Sequence, residues 1–341
     1  MKGNTPPRVT MKDVANRAGV TIGTVSHVLN KTAGVSPKTD EKVRRAIKEL
    51  EYVPNSVARN MRLKRNHQVG LLIPNLTNNF YFRIVSSFVD QADQDGYTVL
   101  ILGYEYSLER EKRALKTLYE NNVGTIVIAN GAGDEKYLQK YLNRGINIIL
   151  ADRHTDLKDI SYVEFENTRV IDDAVRMLKE KNYKSIGFLS EPLTISNIAD
   201  RFEGYKKALV NHGYGFREDY VYISERLCMD NTQNGYLFMK ELLDQKKKEE
   251  LPEAFLISSD LQAIGTQRAI IEHGYTVPGD FGIVGCDNLE LSGYVQPGLT
   301  TINQDGKLLG EELWKMAKMR TEGKDVRNIA LEQQLIIRGS C

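Results

Sequence analysis

Residues 10–30 read TMKDVANRAGVTIGTVSHVLN, and this stretch decides the fold of the N-terminal part of the chain. Its apolar residues recur at helical intervals on both sides of Gly19, and they are Val14, Ala15, Ala18, Val25, Val28 and Leu29. Because Gly19 allows the backbone conformation of a tight turn, this spacing predicts two short helices around that turn. Thr10 followed three residues later by Asp13 is a capping-box pattern at the start of the first helix. The stretch is therefore predicted to be a helix-turn-helix.

The second predicted helix carries mostly short side chains on its remaining face. These residues are Thr21, Ile22, Gly23, Thr24, Ser26, His27 and Asn30. Short side chains let a helix lie deep in a DNA major groove, where hydroxyl and imidazole groups hydrogen-bond phosphates or base edges. In the same position Ile22 contacts a thymine methyl group. The alternative is an ordinary helical hairpin whose polar face is only hydrated.

Length and charge indicate a small head and a larger body. The chain has 341 residues, more than one compact domain usually holds, and its composition of 41% hydrophobic and 27% charged residues is ordinary for a soluble globular protein. Residues 1–65 contain 14 Lys and Arg against 5 Asp and Glu, a net charge of +9. Since the whole chain has a net charge of +1, the remainder carries −8. A basic head on an acidic body is typical of a nucleic-acid-binding protein with a sensor domain.

Several functional classes are not indicated. No apolar stretch is long enough to span a bilayer, and Met1–Val9 lacks the apolar core of a signal peptide, which predicts a cytoplasmic protein with no membrane partner. The three cysteines are far apart and the five histidines show no paired ligand spacing, so no disulfide framework, metal site or cofactor is expected. Phosphate-loop, zinc-protease and nucleophile-elbow motifs are missing. No catalytic residue is assigned, and an enzyme is not predicted.

The head is expected to end near Tyr52, so that it comprises residues 1–52. Ser36 before Pro37 predicts the start of a third helix, whose apolar residues at helical spacing close a small core. These apolar residues are Val43, Ala46, Ile47 and Leu50.

Residues 53–66 are predicted to form a hinge helix and linker. Pro54 breaks the preceding helix and Asn55 can cap a new one, but about two turns are marginal in water without a partner. Basic side chains point to DNA phosphate as part of that partner, and Met61 is a candidate wedge in the minor groove. The basic residues are Arg59, Arg62, Lys64 and Arg65. The alternative is a basic linker.

From Val69 onward, short β-branched runs alternate with longer amphipathic segments. The runs predict buried parallel strands at Val69–Ile73, Thr98–Leu102, Thr125–Ala129, Ile146–Ala151, Ser185–Leu189, Tyr220–Ile223, Ala254–Ser258 and Gly282–Gly285. The amphipathic segments predict helices that include Tyr81–Gln94, Leu108–Asn121, Thr168–Lys181 and Ala199–His212. This alternation predicts an α/β body, residues 67–341, of two doubly wound parallel-sheet subdomains. The N-subdomain is expected at about 67–165 and 291–325, and the C-subdomain at about 166–290 and 326–341.

Polar and aromatic residues follow the predicted strands, at the edge of the sheets where ligands bind in such folds. They lie in Asn75–Tyr81, Asp152-Arg153, Ser190–Arg201, Ser259-Asp260 and Asp287-Asn288. Carboxylates and amides hydrogen-bond hydroxyl groups, and Phe80 or Tyr81 offers a flat apolar wall, so the set suits a polyhydroxylated ligand. Each residue alone is equally well explained as a capping group, and their convergence is the stronger argument.

Groups of residues along the whole chain resemble the lactose repressor and purine repressor (LacI/GalR) family of transcription regulators. The head resemblance lies in Asp13-Val14-Ala15, Ala18-Gly19-Val20, Thr24-Val25-Ser26 and Val28-Leu29-Asn30, and the hinge resemblance in Tyr52–Asn55 and Val57–Arg59. The body matches are Asn79-Phe80-Tyr81, Asp152-Arg153, Arg201 before Gly204-Tyr205, Ser259-Asp260, Gly285 with Asp287-Asn288, and Leu299–Ile302 with Gln304. They occur in the family's order.

The resemblance implies a homodimer on a near-palindromic operator in double-stranded DNA, with a type I periplasmic-binding-protein-like body that senses a small effector. By position, Ile22, Gly23 and His27 are the main base readers, and Met61 replaces the usual leucine wedge. The implied DNA-binding set also includes Thr10, Thr21, Thr24, Ser26, Asn30, Asn55 and Arg59. The implied effector-binding set is Asn79, Phe80, Tyr81, Asp152, Arg153, Asn197, Arg201, Asp260 and Asp287. A leucine-heptad tail is not seen after Arg338, which favours a dimer over a tetramer.

The leading interpretation is an effector-controlled repressor of carbohydrate-utilisation genes. Cys286 stands where the family commonly has an aromatic residue, so the effector stays open among a sugar, a sugar acid and a sugar phosphate. Arg153 and Arg201 together mildly favour an anionic one. The alternatives are a regulator of the same architecture that responds to a purine or another metabolite, a sugar-acting enzyme tethered to DNA, and a nonspecific architectural DNA-binding protein.

Overall fold

The computed structural model describes residues 9–29, 34–52, 67–131, 135–229 and 231–341. The chain divides into two compact units, Met1–Asn66 and His67–Cys341. In the described part of the chain, the helices all fall short of the length and apolarity that crossing a membrane requires.

The described part of the head contains helices α1 (Met11–Ala18), α2 (Ile22–Leu29) and α3 (Pro37–Glu49). Apolar side chains from all three form one core, and its buried members include Val14, Val25, Val28, Val43 and Tyr52. The predicted capping box is present, since the Thr10 amide donates to Asp13 at 2.8 Å and the Asp13 amide donates to the Thr10 hydroxyl at 3.4 Å. Gly19 ends α1 with a φ of 64°, a conformation that costs glycine little.

The body is built on two six-stranded sheets. The first has the order β11-β5-β4-β3-β1-β2, and its strands are β1 (Gln68–Ile73), β2 (Thr98–Gly103), β3 (Thr125–Ala129), β4 (Asn147–Ala151), β5 (Ser161–Phe165) and β11 (Ile329–Leu331). The second has the order β12-β10-β9-β8-β6-β7, and its strands are β6 (Ile186–Ser190), β7 (Val221–Ile223), β8 (Ala254–Ile257), β9 (Gly282–Cys286), β10 (Thr300–Asn303) and β12 (Gln334–Ile336). All neighbouring strands are parallel except β10 and β12, which are antiparallel.

Helices cover both sheets and close the cores. They are α4 (Asn79–Gln94), α5 (Leu108–Glu120), α6 (Gln139–Leu142), α7 (Asn167–Glu180), α8 (Ser196–Asn211), α9 (Thr232–Gln245), α10 (Asp260–Glu272) and α11 (Gly306–Thr321). Small residues let two helix pairs approach closely. A Cβ at Gly310 of α11 would lie 2.6 Å from the Ile84 carbonyl oxygen of α4, and one at Gly265 of α10 would lie 2.0 Å from the Thr232 carbonyl oxygen of α9. Each subdomain therefore has its own tightly packed helix pair.

The strand order corrects the expected subdomain boundaries. Residues 291–325 were expected in the N-subdomain, but β10 lies in the second sheet, where Thr301 pairs with Gly285 of β9. Residues 326–341 were expected in the C-subdomain, but β11 lies in the first sheet, where Ala330 pairs with Glu164 of β5. The backbone thus crosses between the subdomains at 165–167, 303–306 and 331–334. The reason is that Thr300–Asn303 is itself a buried strand of the second sheet. The backbone therefore returns to the first subdomain only after Asn303.

Candidate functional site

The carboxyl ends of the strands meet at a polar cleft between the two subdomains. The first subdomain contributes Asn78, Phe80, Tyr81, Tyr106, Asn130 and Asp152. The second subdomain and the crossing after β10 contribute Glu191, Asn197, Ile198, Arg201, Ser258, Ser259, Asp287 and Gln304. The cavity between them is about 30 Å³, room for on the order of one or two water molecules. A ligand as large as a monosaccharide therefore requires the subdomains to separate.

Arg201 projects from α8 and is held by polar groups from three other parts of the body. Its Nε donates to Asn167 Oδ1 at 3.2 Å, its Nη1 to the Ser258 carbonyl at 2.9 Å and its Nη2 to Gln304 Oε1 at 3.0 Å. The side chain is buried, which opposes its charge, but acidic groups around it keep the pKa of the guanidinium above its ordinary value. One of these acidic groups, Asp152, forms an ion pair with Arg201, and its Oδ2 lies 4.0 Å from Nη2. Arg201 is therefore a fixed donor at the base of the cleft.

Asp152 is a hydrogen-bond acceptor that joins the two subdomains at the cleft. It follows β4 with a φ of 59°, a left-handed conformation that aspartate tolerates better than most residues. Its oxygens accept hydrogen bonds from Asn197 Nδ2 at 2.9 Å and from Gln304 Nε2 at 3.2 Å. Burial raises the pKa of Asp152 to about 6, although Arg201 and the two amides oppose the shift. The bonds across the cleft are of the kind that a ligand hydroxyl could replace.

Two further carboxylates give the cleft an acidic lining. Asp287 follows β9 and is 5% exposed, and its amide donates to the Ile302 carbonyl at 2.9 Å. Glu191 follows β6 and accepts hydrogen bonds from the Ser258 hydroxyl and from Gln262 Nε2 at 3.4 Å. Together with Asp152, these residues place three carboxylates around one guanidinium.

Three residues of the expected effector set do not line this cavity. Asn79 is the first residue of α4, and the neighbouring Asn78 lines the cavity instead, where its Oδ1 also accepts from the Phe80 amide at 2.9 Å. Arg153 lies away from it, with Nη1 3.2 Å from Glu135 Oε1. Gly131 packs against this guanidinium, since a Cβ there would lie 2.3 Å from Arg153 Cζ. Asp152 lines the cleft, whereas Arg153 lines a neighbouring groove together with Glu135.

Asp260, the third of these residues, is fully buried at the start of α10. It accepts hydrogen bonds from the Leu289 amide at 2.8 Å and from the hydroxyls of Ser292 and Thr301. These bonds tie the loop after β9 to β10 and to α10. The position of Asp260 is therefore that of a structural residue behind the cleft.

The effector set implied by the resemblance leaves out several cleft residues. Asn78, Glu191 and Ser259 lie in the strand-end stretches that the sequence did indicate, whereas Tyr106, Asn130, Ser258 and Gln304 lie outside them. Asn130 follows β3 just as Asp152 follows β4, so the rule that found Asp152 would also have found it. Gln304 follows β10 in the same way, but Thr300–Asn303 was not among the predicted strands, so the rule did not extend to it.

On the head, the predicted base readers that the structure describes lie on an open face of α2. Ile22 is 43% exposed, and Gly23 and His27 are also exposed. Thr21 has a second role, since its hydroxyl accepts from the Thr24 amide at 3.2 Å at the start of the helix. Asn30, Asn55, Arg59 and Met61, with the rest of the predicted hinge at 53–66, lie outside the described residues.

A helix-turn-helix head and a two-sheet body with a polar cleft together define the class of effector-controlled DNA-binding regulators. Residues 10–55 match the model for bacterial regulatory proteins of the lacI family, and residues 175–341 match a periplasmic binding protein-like domain. Catabolite control protein A of Priestia megaterium is 30% identical over 300 residues, 87% of each chain. The HTH-type transcriptional repressor PurR of Edwardsiella ictaluri is 31% identical over 338 residues, 97% of this chain and 96% of the relative. The chain belongs to the LacI family and is a DNA-binding transcription regulator.

Solved structures agree with this assignment. The lac repressor dimer bound to operator and the anti-inducer ONPF has a TM-score of 0.83 and 28% identity, over 98% of this chain and 99% of that one. The complex of the transcriptional regulator CelR with cellobiose has a TM-score of 0.72 and 27% identity, over 98% of this chain and all of that one. The predicted fold class, a helix-turn-helix head with a two-subdomain α/β body, is confirmed.

Proposed function

We propose that this chain is a homodimeric repressor of carbohydrate-utilisation genes. In this proposal the head, residues 1–52, binds a near-palindromic operator with residues 53–66 as the hinge, and a sugar in the cleft of the body controls operator affinity. The protein acts where its DNA lies, in the cytoplasm. Similarity to the operator-bound lac repressor dimer supports DNA binding, and similarity to the cellobiose-bound CelR supports sugar binding.

The observation that carries the proposal is the hydrogen-bond network across the cleft. Asp152 of one subdomain accepts from Asn197 of the other, and Gln304 joins both Asp152 and Arg201. A polyhydroxylated ligand can replace each of these bonds, because a hydroxyl group both donates and accepts. Phe80 and Tyr81 supply an aromatic wall for the apolar face of a sugar ring. Sugar binding would therefore exchange bonds between the subdomains for bonds through the ligand.

The charge of the cleft favours a neutral sugar over an anionic one. Asp152, Glu191 and Asp287 surround the Arg201 guanidinium, which already donates three hydrogen bonds to protein groups. Arg153, which together with Arg201 favoured an anionic effector, is paired with Glu135 away from the cavity. A sugar acid or phosphate would add negative charge beside three carboxylates, which is unfavourable where burial limits screening.

The control of DNA binding follows from a shift between an open and a closed body. An effector that binds one arrangement more tightly shifts the population toward it, and the hinge residues transmit the change to the head. The coupling needed is of the usual allosteric size, roughly 1 to 3 kcal/mol. On the head, Ile22, Gly23 and His27 are proposed to read bases. Phosphate and groove contacts are proposed for Thr10, Thr21, Thr24, Ser26, Asn30, Asn55, Arg59 and Met61.

The experiment is a two-stage ligand screen of the full chain. Thermal unfolding is first measured with neutral sugars, sugar acids, sugar phosphates and purine bases, because a ligand that binds only the folded protein raises the unfolding temperature. Each ligand that does so is then added to a titration of labelled operator DNA. We expect a neutral sugar to raise the unfolding temperature and to change operator affinity by roughly 5- to 150-fold.

Matched variants connect the result to the cleft. Asp287→Asn should weaken binding of the sugar. Asp219→Asn should not, because Asp219 is an exposed aspartate whose carboxylate lies 2.5 Å from Arg217. Binding of a purine base alone would contradict the carbohydrate part of the proposal and favour the purine-responsive alternative. Turnover of the bound sugar by the purified chain would contradict a purely sensing role, and operator binding without sequence preference would contradict repression.

A further inference from the structure

A second group of side chains joins the two subdomains outside the cleft, and it consists of His154, Glu164 and Asp200. His154 follows β4 and Glu164 lies on β5, so both belong to the first subdomain, while Asp200 lies on α8 of the second. The imidazole Nδ1 is 2.9 Å from Glu164 Oε2 and 3.4 Å from Asp200 Oδ2. All three ligand atoms lie within 4.8 Å of one another. The group therefore brings one nitrogen and two oxygen donors to a single point.

These distances suit a transition-metal ion. Zinc binds histidine nitrogen and carboxylate oxygen at about 2.0–2.2 Å, so the donors around a tetrahedral ion lie roughly 3.3–3.6 Å apart. Small side-chain movements would bring the present separations to that value. Three protein donors leave a fourth position for water, as in open zinc sites.

The position of the histidine is fixed by the protein. The His154 amide donates to Ser196 Oγ at 2.9 Å, and that hydroxyl is 3.1 Å from the His154 carbonyl oxygen, to which it donates. Both bonds join the strand end of one subdomain to the start of α8 in the other. The three side chains are 21% to 40% exposed, and His154 borders a groove of about 440 Å³ through which an ion can enter.

The local charges favour a cation. Glu164 and Asp200 bring two carboxylates to a single imidazole, at 2.9 Å and 3.4 Å from its Nδ1. The cations Arg201 and Lys207 and the carboxylates Glu203 and Glu166 act on this pair from its surroundings. A divalent ion would neutralise both carboxylates at once.

We propose that His154, Glu164 and Asp200 form a site for a divalent transition-metal ion, best suited to Zn²⁺, that links the two subdomains. The ion would hold the body in its closed arrangement and so act as a second regulatory ligand. Spacing along the sequence gave no sign of this site, because the donors are separated by ten and by 36 positions and meet only in the fold.

The test is zinc binding by the full chain in a Cys228→Ser background, which removes the partly exposed thiol as a competing ligand. Titration calorimetry with ZnCl₂ should give one ion per chain, and CoCl₂ should give the visible absorption of a four-coordinate site. His154→Gln and Asp200→Asn should each weaken zinc binding roughly tenfold or more, since even changes to residues that only hydrogen-bond to metal ligands cost 10- to 100-fold in affinity. The matched control is His273→Gln, because His273 pairs with the single carboxylate of Asp244 at 3.0 Å.

The bridging part of the proposal has its own readout. Zinc should raise the unfolding temperature and slow amide exchange in both β5 and α8, and both effects should be lost in Asp200→Asn. Thermal unfolding without metal establishes that each variant is folded. Unchanged zinc affinity in His154→Gln would overturn the site, and unchanged affinity in Asp200→Asn would overturn the link between the subdomains. Equal loss in His273→Gln would show nonspecific histidine binding and would also overturn it.

Discussion

The face of the head that is proposed to read DNA and the cleft of the body present their side chains in opposite ways. On the head, Ile22, Gly23 and His27 are exposed, and the core that holds the helices together is made by other residues. In the cleft, Asp152 is buried and hydrogen-bonded across the subdomains, and Arg201 is buried and joined to it through Gln304. Changes at these three exposed head residues should therefore affect affinity for DNA and leave stability unchanged. Changes in the cleft should affect stability, pH response and ligand binding together.

The largest expected effect is that of Arg201→Met. It removes three hydrogen bonds and leaves the carboxylates of Asp152 and Asp287 buried without their cation, so the free energy of unfolding should fall by about 3–5 kcal/mol. Any effector found by the ligand screen should lose its affinity in the same variant. Urea unfolding of the full chain measures the first effect.

The control for this comparison is Arg169→Met. Arg169 Nη1 is 3.7 Å from Glu332 Oε1, and the two side chains are 77% and 87% exposed. Exposed pairs contribute about 0–1 kcal/mol, so the control should remain close to the unmodified protein. If the two variants lost the same stability, Arg201 would not be the centre of the cleft network.

The next effect is a pH dependence that Asp152→Asn should remove. Because the pKa of Asp152 rises from 3.8 to about 6 on folding, the folded protein binds this proton more tightly than the unfolded chain. Its contribution to stability is present below about pH 4 and is lost as the pH rises through about 6, a change of about 3 kcal/mol. The stability of Asp152→Asn relative to the unmodified protein should therefore increase from pH 4 to pH 7 in urea unfolding.

Asp219→Asn is the control with the opposite sign. The hydrogen bond from Arg217 lowers the pKa of Asp219, so its contribution to stability is lost at low pH, grows as the pH rises through the ordinary aspartate pKa and is complete above it. The relative stability of Asp219→Asn should fall slightly over the same interval. A pH response that was identical in both variants would mean that Asp152 is not desolvated in the cleft.

The sequence predicted the elements of the fold well because their signals are local. The apolar spacing of α1 and α2, the Thr10 cap and the β-branched runs all act within a few residues, and Thr125–Ala129 was predicted with its observed ends. The subdomain boundaries were not predictable in this way, since the place of β10 depends on its pairing with β9. Asp152 was found because it follows a strand that the sequence predicts. Gln304 follows β10, which the sequence did not predict, and Asp260 was expected in the cleft although it lies buried behind it.

A smaller effect is expected for the exposed face of α2, and it can be separated from effects on the core of the head. Ile22→Ala should weaken binding to the preferred operator by roughly 1–2 kcal/mol through loss of a methyl contact, without changing the unfolding temperature, because the side chain is 43% exposed. Val28→Ala is the matched control, since Val28 is 3% exposed in the head core. It should lower head stability by roughly 1–3 kcal/mol and leave the preferred base sequence unchanged. Titration of operator variants, with thermal unfolding beside it, separates the two outcomes.

The smallest effect comes from Thr10, a predicted DNA contact on the head that also holds a helix together. Thr10→Ala removes the hydroxyl that caps α1, so protection of the α1 amides against exchange should fall by about 1 kcal/mol, together with operator affinity. Thr10→Ser keeps an oxygen that accepts from the Asp13 amide and should preserve both properties. If Thr10→Ala weakened operator binding with full amide protection in α1, its hydroxyl would act on the DNA alone. The separation between exposed readers and structural residues would then extend to Thr10.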